Sequence, residues 1–457
     1  MTLTAEIGSP AKGIDIGRRL DALPVGPVHR RVVVAIGLGL FFEVYEIFLS
    51  GAIGTALKTE YGLGGTTLMV IMASTFVGMF VGAAAFGHIA DKIGRRRAFM
   101  INLVWFSVCS LVAAFAPNLA ILVVARFLAG VGIGAEYPVA DAYLSDVLPA
   151  SHRGRLAAWA YTCSFLAVPA LGFLSLGLTG HTIAGIAGWR ILLLIGAAGA
   201  IFVVAMRRGL PESPRWLAGQ GRNGEAQAAL QQFETDTSLP ADLSEESTTP
   251  PALSTKPIVR LRQSPYRARV VMLAVFHLFQ PFGYYGFGTL ATLVLVHRGF
   301  DVTSSLLFVA LSFLGYPLGS LLSIPLLARW ERKYLTIASA AAMALCGIAF
   351  ATLSETAAIV VFGVLTTAAA NVFSNVYHVY QAEIFPSDVR ATAVGWTYSI
   401  SRLSSAALPF ILIPVLDNYG PAAMFAVVVV ALGLAVAVLV PVGPRTSNRG
   451  QEDINPV

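Results

Sequence analysis

The chain has 457 residues, of which 56% are hydrophobic and 12% charged. A water-soluble domain carries about 25% charged residues, so the composition excludes an ordinary soluble globule and leaves a bilayer as the solvent. The net charge of +6 does not signal nucleic acid, because the basic residues keep to the tails and to alternate loops.

Residues 1–31 read as a polar tail without a cleavable-signal pattern, so the first apolar helix is expected to be retained. Twelve apolar runs follow, each close to the ~20 residues that cross a ~30 Å hydrocarbon core as a helix. They lie at 32–57, 67–90, 98–116, 119–146, 156–179, 185–206, 269–296, 302–328, 334–353, 356–381, 391–416 and 421–441. A β-barrel would show short alternating segments instead. Six runs precede residue 207 and six follow residue 268. The expected organisation is therefore a tail (1–31), a first helical unit (32–206), a linker (207–268), a second unit (269–441) and a second tail (442–457). Within the linker, 211–217 is compact and amphipathic and 222–233 suits a short helix. Residues 234–257, rich in Ser, Thr, Pro and acids, read as a flexible tether.

Of the 31 Lys and Arg, all but Lys58, Arg190, Arg298, Arg126 and Arg402 fall in the tails or in loops after even-numbered runs. The positive-inside rule then places both termini in the cytoplasm, with the plasma membrane (a bacterial inner membrane) as the expected location. Cys109, Cys163 and Cys346 all lie in apolar runs and read as core thiols. No nucleotide loop, metal cluster or nucleophile motif is present, so neither an enzyme nor a cofactor is expected.

One phrase occurs twice. SDVLPASHRGRLAAW (145–159) and AEIFPSDVRATAVGW (382–396) each carry an acid (Asp146, Glu383). A proline follows at +3 (Pro149, Pro386), an arginine at +7 (Arg153, Arg390) and a tryptophan at +13 (Trp159, Trp396). Two related halves in a membrane protein point to a transporter. Between the second and third runs stands Gly87-His-Ile-Ala-Asp91-Lys92-Ile-Gly94-Arg95-Arg96-Arg97, which fits the loop signature G-x-x-x-D-[RK]-x-G-[RK]-[RK]. Further along come RFLAGVGIGAEYPVA (126–140), RGR (153–155) and PESPRWL (211–217).

On these motifs the chain resembles the major facilitator superfamily over nearly its whole length. The likeness is to the sugar-porter and metabolite:proton symporter branches, which include niacin carriers, organic-ion carriers and synaptic-vesicle glycoprotein 2. The resemblance implies an all-α membrane fold of 12 helices in two pseudo-symmetric six-helix bundles that rock about a central site, working as a monomer. It implies a gating network of Gly87, Asp91, Arg95, Asp146, Arg153 and Glu212 in the first half, with Glu383 and Arg390 as its counterpart. That network would latch one state and break in the other. The second copy of the Gly87 motif has decayed to ARWERKY (328–334), which puts a symmetrical second latch in doubt.

Charges at bilayer depth are costly and tend to be functional. Glu43 and Glu46 share one face of the first run at i, i+3. Arg126 lies roughly 10 Å into the fourth run, and Glu46 enters from the opposite side to a similar depth. In sugar:proton symporters, which the chain resembles here, an acid and an arginine at these places form the proton-coupling pair. A protonation switch and a static ion pair both fit, and Glu43 joins Glu46 and Arg126 as a candidate for the proton coupling. Glu136 and Asp141 are weaker candidates, turned ~80° and ~60° from the Arg126 face.

Arg402 sits near the middle of the eleventh run, where an arginine fork suits a carboxylate. Organic anion transporters resemble this segment, and the paired Tyr284 and Tyr285 of the seventh run resemble them too. A structural arginine, capping carbonyls or pairing with Glu43, is the other reading. Gln280, Phe287 and the first-run Phe42 add polar and aromatic lining. Asn371, Asn375 and His378 recur at i, i+4, i+7 and should look into the protein. The polar set that resembles a hexose site is incomplete.

Together these residues point to proton-coupled symport of a small organic anion, an aromatic or heteroaromatic monocarboxylate of nicotinate or benzoate type. Sugar, sugar-acid or organic-cation symport, efflux antiport and a non-transporting receptor are the alternatives. The expected partners are the substrate, protons and the lipid bilayer, with no nucleic acid.

Overall fold

The computed structural model describes residues 16–134, 136–149, 152–235, 261–447 and 454. Ten of its helices are long and apolar enough to cross a membrane. The twelve spans are recovered once two local features are recognised. The fourth span is made of two pieces, Leu119–Ile133 and Glu136–Val147, the first too short to count alone. The eleventh and twelfth run together as Ser387–Ala437, whose 51 residues would extend about 75 Å at ~1.5 Å per residue. Gly420 divides that stretch. Its φ of 81° and ψ of 177° are non-helical, a conformation glycine adopts readily, and Pro421 then opens the last span with a residue that has no N–H to donate.

The other spans are Pro27–Tyr61, Gly65–Ile93, Arg95–Ala114, Arg153–Leu178, Gly188–Arg207, Tyr266–His297, Val302–Arg329, Arg332–Thr352 and Thr356–Glu383. The second span is longer than expected. It absorbs Gly87 to Ile93 into its helix, so the expected loop shrinks to Gly94, where φ is 102°.

Within the first half, the second span packs on the fourth, the third on the sixth and the first on the fifth. In the second half the seventh packs on the eleventh, the ninth on the tenth and twelfth, and the eighth on the tenth. The halves meet where the second span crosses the eleventh, the fifth crosses the eighth and the first touches the seventh. Large apolar side chains left exposed, such as Val104, Val108 and Val112 of the third span and Phe202 of the sixth, form the lipid-facing surface.

At the start of the first span and the end of the sixth, three short helices cover the first half: Ile16–Ala22, Pro214–Gly219 and Asn223–Glu234. The last matches the helix expected at 222–233. Ser213 starts the second of them by accepting from the Trp216 amide at 3.0 Å. Asp21 pairs with Arg153 (2.9 Å) and Arg215 (2.7 Å), and Arg19 with Glu234 (2.7 Å), so the tail helix is tied down. The far side carries a small hairpin, Thr182–Ile183 with Ile186–Ala187, that the apolar pattern does not reveal. From residue 236 onward, the stretch read as a tether lies outside the described residues.

Candidate functional site

The first-half centre is an ion pair. Glu46, Arg126, Glu43 and Glu136 all have 0% exposure. Asn118 caps the Arg126 helix by accepting from the Ile121 amide at 3.0 Å. From there Arg126 donates Nη1 to the Glu46 carboxylate at 2.5 Å, and Nη2 to the Glu46 carbonyl (2.9 Å) and Ser50 Oγ (2.8 Å). Ser110 of the third span donates to the other Glu46 oxygen at 2.8 Å. Both carboxylate oxygens are thus satisfied, as a buried pair requires.

Glu43, one turn away, is held differently. Neither of its oxygens has a hydrogen-bond partner among the described residues, nor does either oxygen of Glu136. Asp141, five residues further on, is exposed. Phe42 is turned to the sixth span, packed against Gly199 and beside Phe41 and Tyr45.

The second-half centre is an arginine among phenols. Arg402 is buried and donates to the Tyr285 hydroxyl at 2.8 Å and to the Tyr398 hydroxyl at 3.2 Å. Its guanidinium lies 4.9 Å from the Tyr398 ring centroid, within cation–π range. Tyr285 and Tyr284 belong to an aromatic cluster drawn from both halves. Phe48 meets Tyr316 (5.4 Å), Phe313 (6.1 Å), Tyr285 (6.2 Å) and Tyr284 (6.5 Å), and Phe76 meets Tyr285 (5.1 Å). Phe165 stacks on Tyr316. This cluster joins the first and seventh spans. Gly51 lies beside it, close enough to Thr289 that an added Cβ would come within 2.8 Å of the Thr289 carbonyl.

The tenth-span face divides in two. Asn371 donates to the Tyr316 carbonyl and Asn375 to Ser320 and Ser323, so both fasten the eighth span. His378 instead joins a polar chain. Its Nδ1 is 3.0 Å from Gln381 Nε2, and Gln381 Oε1 is 2.9 Å from His277 Nε2. The His378 ring stands 5.3 Å from that of Tyr398, which brings it to the Arg402 group. Gln280 is buried, its Oε1 without a hydrogen-bond partner among the described residues. Phe287 packs on Phe350, at 4.8 Å.

The doubled phrase repeats in geometry. Arg153 Nε donates to the Leu148 carbonyl at 3.3 Å, and Arg390 Nε to the Phe385 carbonyl at 3.3 Å. Each arginine thus holds the carbonyl five residues before it. Trp159 and Trp396 both point outward, 52% and 65% exposed, as interface anchors do. The acids take a different arginine. Asp146 stands 4.0 Å from Arg95 and accepts from Ser213 at 2.9 Å, while Glu383 pairs with Arg332 at 3.4 Å.

Arg332 belongs to the ARWERKY segment, and in its contact with Glu383 it takes the place that Arg95 has beside Asp146 in the first half. The joint between the third and sixth spans also recurs, with donor and acceptor exchanged. Glu212, after the sixth span, accepts from the Arg96 amide (2.9 Å) at the start of the third. Glu331, at the start of the ninth, accepts from the Thr446 (2.9 Å) and Ser447 (3.2 Å) amides after the twelfth. The side chain of Asp91 and the surroundings of Gly87 lie outside the described residues.

Sequence reasoning missed Phe48, Phe76, Phe165, Tyr316, Tyr398, His277, Gln381 and Arg332. Tyr398, four residues before Arg402, and Gln381, three after His378, had a local signal in sharing a helix face with a residue already singled out.

Comparison with known proteins adds the following. Residues 32–457 match the family model described as sugar (and other) transporter. The putative metabolite transport protein YyaJ of Bacillus subtilis is 30% identical over 396 residues, covering 85% of this chain and 86% of YyaJ. The niacin transporter NiaP of Acinetobacter baylyi is 28% identical, covering 96% of this chain and all of NiaP. The xylose transporter XylE of Escherichia coli, in a partially occluded inward-open conformation, superposes with a TM-score of 0.73 at 20% identity, over 92% of this chain and 99% of XylE. That last likeness is one of fold.

Proposed function

The chain belongs to the sugar (and other) transporter family of the major facilitator superfamily, and from that premise we propose that it carries a small organic anion together with protons by alternating access. The observation that carries this reading is Arg402: a buried guanidinium, deep in a span, whose side-chain hydrogen bonds go to phenols. A charge so placed is costly unless balanced, and a carboxylate matches the guanidinium fork.

The rings of Tyr285, Tyr398 and His378 around it favour a flat apolar or aromatic body. The proposed substrate class is an aromatic or heteroaromatic monocarboxylate, and the name of NiaP is consistent with that class. Glu46 and Arg126 supply the acid–base pair for coupling: protonation of Glu46 would release Arg126 and let the first span move against the fourth. The proposed setting is the bacterial inner membrane, both termini cytoplasmic, as a monomer.

A ligand-stabilisation screen with hexoses, carboxylates and organic cations tests the substrate class. Stabilisation by nicotinate or benzoate that disappears in Arg402→Ala is the expected result, and stabilisation by hexoses alone would overturn it. In proteoliposomes with an imposed pH gradient, Glu46→Gln is expected to lose uphill accumulation. Accumulation at the wild-type level would remove Glu46 from the coupling.

A further inference from the structure

Two buried carboxyls stand outside the Glu46–Arg126 pair. Glu43 and Glu136 are fully enclosed, and none of their four oxygens is hydrogen-bonded among the described residues. Each lies in the electrostatic field of the other. A third side chain points to the same place. Arg207, buried at the end of the sixth span, gives Nε and Nη2 to the Ala35 carbonyl and rests 3.5 Å above the Phe99 ring centroid. Its Nη1 has no hydrogen-bond partner among the described residues, and its charge acts on both Glu136 and Glu43. Arg402 acts on Glu43 from the other half.

Among the described residues, further titratable groups stand around the pair and its two arginines. The fourth span contributes Asp141 and Tyr143, and the third contributes Arg95 and Arg96 beside Arg207 and Tyr143. Around Arg402 stand Tyr285 of the seventh span and Tyr398 of the eleventh, the latter also in the field of Glu43, with His378 of the tenth beside Tyr398.

We propose that Glu43 and Glu136 form a second proton-binding site, sharing one exchangeable proton whose presence depends on whether an organic anion covers Arg402. Two neighbouring carboxylates in a low-dielectric interior resist ionising together. The charges then close in both states. With the anion bound, Arg207 and Arg402 (+2) face the singly protonated pair (−1) and the anion (−1). With the anion gone, the same two arginines face the fully ionised pair (−2). The proton therefore joins and leaves with the anion, and nothing is oxidised or reduced. This rests on the reading that Arg402 holds the substrate carboxylate, so the test has one arm that does not need a substrate.

That arm is an infrared pH titration of the purified, ligand-free protein, following the protonated-carboxyl C=O band. A titrating band is expected in the wild type and in Glu46→Gln; in Glu43→Gln and in Glu136→Gln the remaining carboxyl has lost its like-charged neighbour, and its band is expected to disappear at lower pH than in the wild type. If either of these variants does not fold, Arg402→Gln gives the converse: with one positive charge removed, the band persists to higher pH. A band unchanged by all three substitutions overturns the site. The second arm measures protons taken up when benzoate or nicotinate binds in weakly buffered solution. Glu43→Gln should lower the number bound per anion by about one. An unchanged number overturns the coupling even where anion binding is normal. Failure of the wild type to bind any carboxylate counts against the Arg402 reading and against the coupling built on it, while the infrared arm still decides whether the pair binds a proton.

Discussion

Arg126 in the first half and Arg402 in the second are both buried inside long helices, yet their partners differ in charge. Arg126 meets the Glu46 carboxylate at 2.5 Å and two further oxygens, so its charge is balanced within its own bundle. Arg402 bonds two phenols, which accept its protons without cancelling its charge. A buried pair that neutralises itself is complete without a ligand, whereas an arginine held by neutral groups still favours an anion. The proposed division of labour, protons in the first half and substrate on the second, follows from that difference.

The comparison can be broken most visibly at Arg126. Arg126→Met strands a buried carboxylate, and losing one member of such a pair costs roughly 3–5 kcal/mol. A large fall in thermal stability in detergent is expected, partly restored in Arg126→Met/Glu46→Met. Arg402→Met breaks two hydrogen bonds to phenols and no direct ion pair, and is expected to cost less, about 1–2 kcal/mol. Equal losses in thermal unfolding would erase the distinction between the halves.

Binding should show the opposite order. Arg402→Lys keeps the charge but loses the fork, and calorimetric titration with benzoate is expected to show at least a roughly tenfold weaker affinity, equivalent to ~1.4 kcal/mol. Unchanged affinity would remove Arg402 from the binding site.

The contact between the halves is tested at Gly51. A valine there would push against the Thr289 carbonyl, only 2.8 Å from the added Cβ, and overpacking of this kind costs about 1–3 kcal/mol. The expected result is a several-fold faster reaction of a cysteine at position 48 with an impermeant thiol reagent added from the far side. No change in labelling would show that this contact does not hold the far side closed.

The smallest effect concerns the acid–arginine contacts, which are partly exposed. Arg95→Ala and Arg332→Ala should each cost about 0.5–1 kcal/mol and change transport rates a few-fold, by similar amounts. A loss from Arg95→Ala alone would make Arg332 a structural neighbour and no functional counterpart.

Depth along a helix was legible from the chain because the rise per residue is constant. That arithmetic brought Glu46 and Arg126 to one level, and the structure joins them. Which way a helix turns a side chain was legible only nearby. Asn371 was expected to look inward and does, but its amide meets the Tyr316 carbonyl of a span 55 residues away in sequence. Arg332 was hidden because its segment no longer matches the motif, while the physical requirement, a cation within reach of Glu383, tolerates many sequences.

By itself the sequence determined the twelve spans, the two related halves and the family. Hydrocarbon demands long apolar helices whatever their packing, and a duplicated phrase survives as letters. Tertiary structure alone decided that Glu46 is satisfied while the carboxyls of Glu43 and Glu136 have no hydrogen-bond partner among the described residues, and that Arg402 faces phenols. These outcomes depend on the rotation and crossing of helices far apart in the chain, which set the partner of each buried charge and leave no local trace.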